Sequence, residues 1–249
     1  MITDPDTFMP ILGIRAGDVP PRVLLVGDPA RAERAAKRLD DARELARSRE
    51  YVSFGGSFRG EQIGIVSHGV GSAGATVCFE ELCRSGAQRL IRAGTAGGMQ
   101  KAIGTGALVV ARAAARNEGV TARLVPGGFP AVADIDVVLA LRAAADAAGL
   151  SVHEGVVLTS DLFYPHSVLG SDLPIWQRCG VIAVEMECAP LFITAALHGV
   201  AAGAILAIDG NPLEEEDQDM SGYDPHRPIV GETVEQMISI ALAAVAQPL

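Results

Sequence analysis

Residues 22–39 read RVLLVGDPARAERAAKRL, and this stretch decides the fold class. Its first five residues form a largely apolar run that predicts a short buried strand. Gly27, Asp28 and Pro29 predict a tight turn, and residues 30–39 have the composition of a helix. Strand, tight turn and helix in this order are the repeating unit of a sheet with parallel strands.

The same order recurs along the chain. Strands and helices that alternate predict an α/β fold with a mixed, largely parallel central sheet flanked by helices. No linker-like change of composition divides the chain, so residues 1–249 are predicted to form a single domain. In such sheets ligands bind at the carboxyl ends of the strands. The further predicted strands are 62–67, 89–93, 107–114, 152–159 and 202–208, and the further helices are 73–84, 134–148, 187–197 and 233–246.

Composition excludes several classes of protein. Apolar residues make up 49% of the chain, which excludes intrinsic disorder. The net charge of −10 argues against nucleic acid or an anionic membrane as the main partner. The N-terminus lacks the basic start and apolar run of a signal peptide, and no apolar stretch reaches the length of a membrane span. We expect a soluble cytoplasmic protein with four reduced cysteines, no metal site and no bound cofactor.

Charged and polar residues stand at three predicted strand ends. Gly27 and Arg31 follow the first strand, where a helix N-terminus also favours an anion. Arg92 lies within an otherwise apolar strand, with Thr95 after it, and a buried guanidinium needs either a protein carboxylate or a bound anion as partner. Asp209 follows the last predicted strand. It is either a turn residue or a general acid whose pKa is raised by burial.

Two other segments carry unusual side chains. Glu185, Met186 and Glu187 place two carboxylates in an apolar segment, where they bind hydroxyls or cations or else lie exposed at a helix start. Phe163 and Tyr164 are adjacent aromatics in a chain that is only 4% aromatic, and they either pack in the core or form a stacking platform. An anion pocket, carboxylates, an aromatic platform and an acid together suit a ribose linked to a planar base, with phosphate beside it.

Residues 69–74, GVGSAG, match the G-x-G-x-x-G pattern of dinucleotide sites. The next predicted strand, 89–93, has no carboxylate to bind ribose hydroxyls, which argues against NAD. A NADP-dependent oxidoreductase stays open on this pattern. We favour a glycine turn that brings the backbone close to a different ligand.

Together, these motifs resemble those of the hexameric nucleoside phosphorylases, a family that includes bacterial purine nucleoside phosphorylase and uridine phosphorylase. The resemblance covers about residues 10–246 and is greatest to the apicomplexan-type purine enzymes. The motifs that carry it are GDP at 27–29, REY at 49–51, SHGVGSAG at 67–74, CFEELC at 78–83, RAGT at 92–95, EME at 185–187 and DGNP at 209–212.

The resemblance implies phosphorolysis of purine ribonucleosides and 2′-deoxyribonucleosides to free base and (deoxy)ribose 1-phosphate, as in purine salvage. Inorganic phosphate is the implied co-substrate, and a homohexamer built as a trimer of dimers is the implied assembly. Asp209 is implied to act at purine N7, and Glu187 on the ribose hydroxyls. Arg49 is implied to reach the phosphate of a neighbouring subunit. The full implied set is Gly27, Arg31, Arg49, Arg92 and Thr95 for phosphate and Phe163, Tyr164, Glu185, Met186 and Glu187 for the nucleoside.

Three departures from the family pattern bear on the substrate. Uridine phosphorylases carry Gln and Arg where Ser167 and Leu169 stand, which favours a purine. The family's N-terminal His is Ile11 here, which leaves a phosphorylase or nucleosidase for methylthio-purine nucleosides open. An acidic run at 214–217 stands where bacterial purine enzymes have a cation, and we expect these carboxylates to raise the pKa of Asp209. The sequence also leaves uridine phosphorolysis and non-catalytic nucleoside binding open.

Overall fold

The computed structural model describes residues 4–164, 166, 168–214 and 223–248. Its helices are α1 (Pro29–Ala36), α2 (Ser72–Arg84), α3 (Thr121–Leu124), α4 (Ile135–Ala147), α5 (Leu173–Arg178), α6 (Cys188–His198) and α7 (Pro228–Val245), with a 3₁₀ turn at Ala16–Asp18. Its strands are β1 (Phe8–Met9), β2 (Ile14–Arg15), β3 (Arg22–Val26), β4 (Asp40–Ser48), β5 (Tyr51–Phe58), β6 (Glu61–Ser67), β7 (Arg89–Gly98), β8 (Leu108–Asn117), β9 (Ala131–Val132), β10 (His153–Ser160), β11 (Ala183–Glu185) and β12 (Ala201–Gly210).

The stretch 22–39 folds as predicted, into β3, a turn and α1. Val23 and Leu25 face one hydrophobic core, and Leu24 and Val26 face a second core on the other side of the sheet. Because both faces are covered, the strand is a continuous apolar run instead of an alternating one. Asp28 ends the turn by capping α1, since its side chain accepts a hydrogen bond from a backbone N–H two residues on, at 2.9 Å.

The main sheet has the strand order β11-β10-β8-β12-β7-β3-β6-β5-β4, with β9 beside β8. The pairs β3–β6, β3–β7, β7–β12, β8–β10 and β10–β11 are parallel. The pairs β8–β12, β5–β6 and β4–β5 are antiparallel. The predicted α/β class with a mixed sheet is therefore confirmed.

The sheet also closes on itself, which the sequence did not predict. β11 pairs with β10 on one side and antiparallel with β7 on the other. Strands β7, β12, β8, β10 and β11 therefore form a closed ring. This closure brings the end of β11 beside the carboxyl-terminal half of β7.

Helices cover both faces of the sheet. Phe79 of α2 and Phe192 of α6 lie in the first core, and Ala32 of α1, Leu141 of α4 and Met237 of α7 lie in the second. All five side chains are at most 1% exposed. The two cores fix the strand ends on which the polar residues stand.

The C-terminal helix corrects one expectation. α7 has 18 residues and a mean hydropathy of 1.3, so by length and composition it could span a membrane. In the fold, 56% of this helix is buried against the second core. The helix is apolar because it packs against the sheet and against α4.

Candidate active site

The carboxyl ends of β3, β7, β11 and β12 surround a cavity of about 670 Å³. This volume lies within the range of small-molecule sites, about 300–1,000 Å³. Apolar side chains from Val70, Leu162 and Leu173 complete its wall, together with Tyr223. The predicted site residues that line the cavity are Gly27, Arg31, Arg92, Thr95, Phe163, Glu185, Met186, Glu187 and Asp209.

Arg92 lies buried at the floor of the cavity, and its partners are carboxylates. One guanidinium nitrogen donates to Glu187, and Nη1 lies 3.4 Å from Oε2 of Glu185. Any side chain at Gly94 would overlap this guanidinium, so the glycine is required by close approach. The strand predicted at 89–93 is longer in the structure, because β7 continues through the following glycines to Gly98.

Glu185 is enclosed by hydrogen bonds within the protein. Its carboxylate accepts hydrogen bonds from the Thr159 hydroxyl at 2.6 Å and from the backbone N–H groups of Glu187 and Cys188, each at 2.8 Å. The side chain is 0% exposed, and burial raises its pKa. Most of the hydrogen-bonding capacity of Glu185 is used within the protein, and its predicted nucleoside contact remains a prediction. This residue holds the start of α6 and Arg92 in place.

Glu187 remains at the cavity surface. Its Oε1 accepts a hydrogen bond from the backbone N–H of Gly71 at 2.6 Å. Burial is the largest single influence and favours the neutral acid, but the charges of Arg92 and His68 and the hydrogen bonds from Gly71 and Arg92 together outweigh it and lower the pKa of Glu187. An ionised carboxylate with these two partners still has lone pairs for substrate hydroxyls. Gly71 has φ of +95°, so the glycine loop 69–74 supplies a backbone donor to Glu187.

Arg31 differs from Arg92 in having few partners. Its Nη1 donates one long hydrogen bond, 3.5 Å, to the carbonyl of Ala93, and its buried Nε has no partner among the described residues. Burial and the neighbouring charge of Arg92 lower the pKa of Arg31. A bound anion would relieve both effects. Asp28 already occupies the α1 N-terminus, so the attraction for an anion comes from the arginines more than from that helix end.

Asp209 lies in a bulge. The register of β12 against β7 shifts between Ile208 and Gly210, so Asp209 is the extra residue. A bulge redirects a side chain that would otherwise follow the alternation of the strand. Asp209 is 4% exposed, and its Oδ2 accepts a hydrogen bond from the Tyr223 hydroxyl at 2.7 Å.

The pKa of Asp209 is raised, and the main cause is burial. Hydrogen bonds from Tyr223 and Thr95 and the charge of Arg31 act in the opposite direction. The expected contribution of the acidic run is not seen at Glu214, which instead lies 3.2 Å from the Asn211 amide. The other three residues of that run lie outside the described residues.

The two predicted aromatics separate in the structure. Phe163 lines the cavity with its ring in edge-to-face contact with Tyr164, at 5.1 Å, and Tyr223, at 5.6 Å. Tyr164 is 68% exposed and does not line this cavity, so its predicted contact with the base is not supported. Leu169 is 83% exposed and also lies outside the cavity lining. Ser167 lies outside the described residues.

Arg49 and Ile11 both lie away from the cavity of their own chain. Arg49 is exposed at the turn between β4 and β5, with φ of +56°. The backbone N–H of Ile11 donates to Glu81 at 3.0 Å. The role implied for Arg49 concerns a neighbouring subunit, and it remains a prediction.

Tyr223 is the site residue that the sequence analysis missed. It follows a polar segment without strand or helix periodicity, and nothing in that segment shows which way it points. Its one signal was rarity, since the chain has only three tyrosines. Among the described residues, no group of three or more His, Cys, Asp or Glu side chains is arranged to hold a metal ion.

Comparison with known proteins identifies the family of this chain. Residues 21–246 match the family model of the phosphorylase superfamily, and the chain belongs to that superfamily of enzymes. Purine nucleoside phosphorylase from Plasmodium falciparum is 38% identical over 97% of both chains. Uridine phosphorylase from Treponema pallidum is 36% identical over 80% of this chain and 81% of its own. The crystal structure of purine nucleoside phosphorylase from Toxoplasma gondii in complex with immucillin-H superposes with a TM-score of 0.92, at 34% identity over 99% of this chain and 98% of that one.

Proposed function

We propose that this protein catalyses phosphorolysis of purine ribonucleosides and 2′-deoxyribonucleosides. The observation that carries the proposal is the presence, in one cavity, of a buried acid with a raised pKa, Asp209, and of a cation, Arg31, that pairs with no carboxylate among the described residues. A base that leaves with an electron pair needs the acid, and an anionic nucleophile needs the cation. The relatives named purine nucleoside phosphorylase support the same reaction.

The phosphate end of the cavity consists of Arg31, Thr95 and the backbone at Gly27. Arg92 lies beneath it and adds positive charge, although its hydrogen bonds go to Glu187 and Glu185. Phosphate is a weak nucleophile, so its main requirement is to be held beneath C1′ of the sugar. Glu187 is the proposed partner of the ribose hydroxyls, and Met186 lies beside the sugar.

The base end consists of Phe163 and Asp209. A phosphate oxygen bonds to C1′ as the C1′–N9 bond breaks, and the electron pair of that bond moves into the purine. Asp209 gives its proton to N7, so the base leaves neutral and the carboxyl becomes a carboxylate. General acid catalysis of this kind is worth about 10²–10⁴-fold.

Two observations favour a purine over uridine. N7 of a purine is an acceptor for the proton of Asp209, and uracil has no imidazole nitrogen. In addition, the described cavity lining contains no glutamine, and its arginines are Arg31 and Arg92 at the phosphate end. Leu169 stands where uridine phosphorylases are expected to carry a base-reading arginine.

We also propose that the active unit is a homo-oligomer. Arg49 is exposed and is not among the residues that line its own cavity, which fits a side chain that completes a neighbour's phosphate site. Its backbone is held at φ of +56°, a conformation that costs an arginine roughly 1–2 kcal/mol.

Purine specificity is tested by kcat/KM for inosine and uridine, each at saturating phosphate. We expect kcat/KM to be at least about 100-fold higher for inosine, on the scale by which a site built for hydrogen bonding rejects an analogue without the group. Comparable values, or a preference for uridine, would show that Asp209 does not select the base. Protein treated in the same way but carrying Asp209→Asn controls for contaminating activity.

A further inference from the structure

Tyr223 contacts two parts of the site at once. Its hydroxyl donates to Oδ2 of Asp209 at 2.7 Å, and its ring lies edge-to-face on Phe163 with centroids 5.6 Å apart. Both partners line the cavity, as Tyr223 itself does. The side chain therefore links the buried acid to the aromatic wall.

The chain after Tyr223 is anchored to the same strand end. Nη2 of Arg227 donates to the backbone carbonyl of Asp209 at 2.6 Å and lies 3.2 Å from the Thr105 hydroxyl. The guanidinium thus holds the backbone of Asp209 and leaves its carboxyl to Tyr223. This second attachment fixes the start of α7 four residues beyond the phenol.

Among the described residues, few charged groups act on this carboxyl from the surrounding elements. Arg31 of α1 influences Asp209, and Arg31 and Arg227 influence Tyr223. Thr95 of β7 adds a hydroxyl. Burial, followed by the neighbouring Asp209, raises the pKa of Tyr223, so the phenol stays a neutral donor over the pH range of an assay.

We propose that Tyr223 is a positioning residue for the acid of this site: its hydroxyl occupies Oδ2 of Asp209, so that the transferable proton resides on Oδ1. The inference rests on the proposed function and adds a residue to it. A carboxylic acid carries one proton, and an oxygen that accepts from a phenol is the poorer place for it. The donor thereby selects the oxygen from which the proton leaves.

The same hydrogen bond strengthens during the reaction. As the proton on Oδ1 passes to N7, negative charge grows on Asp209, and a bond from the phenol to a carboxylate is stronger than one to a neutral acid. After release of the base, the carboxylate takes a proton from solvent and the cycle closes. An interaction that is stronger in the transition state than in the ground state raises kcat.

The test compares Tyr223→Phe with Tyr223→Leu. Phenylalanine keeps the ring on Phe163 and removes only the hydroxyl, whereas leucine removes both. We expect Tyr223→Phe to lower kcat for inosine about tenfold and to leave the KM for phosphate within about twofold, since the lost bond is one to a developing charge. A hydroxyl that acted only through packing would leave the phenylalanine variant at the wild-type kcat, and that result would overturn the proposal.

The pH profile gives a second criterion. The phenol stabilises the ionised form of Asp209, so its removal raises the pKa of that carboxyl. The basic limb of the kcat profile, where the protonated acid is lost, should move up by about one pH unit in Tyr223→Phe. An unchanged limb, or a shift to lower pH, would contradict the proposal.

A measurement without turnover separates this proposal from the proposed function. The ¹³C-carboxyl resonance of Asp209, assigned by its loss in Asp209→Asn, reports the pKa directly. It should titrate at higher pH in Tyr223→Phe than in wild type even if wild type fails to cleave inosine, a failure that would reject the purine reaction alone. Equal titration in folded wild type and Tyr223→Phe, with matching thermal unfolding, would reject the role of Tyr223.

Discussion

Two regions of the cavity, its floor and its wall, are built differently. At the floor, Arg92, Glu185 and Glu187 form a closed network in which each charge has protein partners and none is more than 5% exposed at its side chain. At the wall, Asp209 stands in a bulge and has one phenol from a separate segment as its main side-chain partner. The floor is thus held by side chains on paired strands and at the start of α6, whereas the acid of the wall is held by a residue outside the strands and helices.

This difference indicates that the two regions have different functions. A network of paired buried charges holds its geometry whether or not a ligand is present, which suits binding of sugar and phosphate. A buried acid with a raised pKa suits proton transfer. Substitutions at the floor should therefore alter stability and phosphate binding, and substitutions at the wall should alter kcat.

The largest expected effect is at the wall. Asp209→Asn keeps the shape and removes the proton, so kcat for inosine phosphorolysis should fall about 10²–10⁴-fold. The KM for phosphate should change little, because the phosphate end is untouched. Steady-state kinetics with both substrates varied checks this, with the exposed Asp136 of α4, as Asp136→Asn, for the matched control. Wild-type turnover by Asp209→Asn would show that the wall does not supply the acid, and the functional distinction between floor and wall would then be wrong.

The second prediction concerns how much the charge network at the floor stabilises the protein. Arg92→Leu leaves Glu185 and Glu187 buried without their cation, so the free energy of unfolding should fall by about 3–5 kcal/mol. Urea unfolding measures it, and Arg112→Leu at an exposed arginine of β8 is the control. Adding Glu185→Gln and Glu187→Gln to Arg92→Leu should recover part of the loss. A loss of unfolding free energy below about 1 kcal/mol would show that the charges at the floor do not form a cooperative network.

Arg31 sharpens the comparison at the phosphate end. Arg31→Gln removes charge-assisted hydrogen bonds to the anion, so the KM for phosphate should rise about 10–100-fold. The kcat at saturating phosphate should fall less than that. Arg34→Gln on the same helix, where Arg34 is 3.7 Å from Glu235, is the matched control. A change in kcat alone would show that Arg31 acts with Asp209 in catalysis and does not bind phosphate.

His68 supplies the smallest effect, in the acid range. Burial lowers its pKa to about 4, against about 6.5 in the unfolded chain. The unfolded state therefore binds more protons below pH 6.5, and stability is lost as pH falls from 6.5 towards 4. Between pH 6.5 and 5 this amounts to roughly 2 kcal/mol. His68→Leu should lose less stability over that interval than wild type, and His153→Gln at an exposed histidine is the control; equal losses would contradict the assignment.

Prediction from sequence succeeded where a residue's environment follows from its own strand. β3 and its turn, the buried Arg92 and the position of Glu187 at the start of a helix all follow from apolar runs interrupted by a charge. The hairpin of β4 and β5 was not predicted, because β4 is charged and mostly exposed and so lacks an apolar period. The enclosure of Glu185 depends on Thr159, its partner across the β10–β11 pair, and the three-residue strand β11 was not predicted.

The wall was harder to predict for a physical reason. A bulge redirects Asp209, and bulges depend on pairing between distant strands. Tyr223 reaches the carboxyl from 14 residues later in the chain, through a segment with no periodic pattern. The acid itself could be identified from its place after an apolar strand, but the residue that orients it could not.

In the proposed reaction, phosphate held beside Arg31 attacks the sugar as Asp209 protonates the departing nucleobase. Incubation of inosine with and without phosphate, followed by quantification of hypoxanthine, ribose 1-phosphate and free ribose, is the direct test. Hypoxanthine and ribose 1-phosphate should form in equal amounts, and neither should form without phosphate. Hypoxanthine with free ribose in the absence of phosphate would contradict it, because water and not the bound anion would then be the nucleophile.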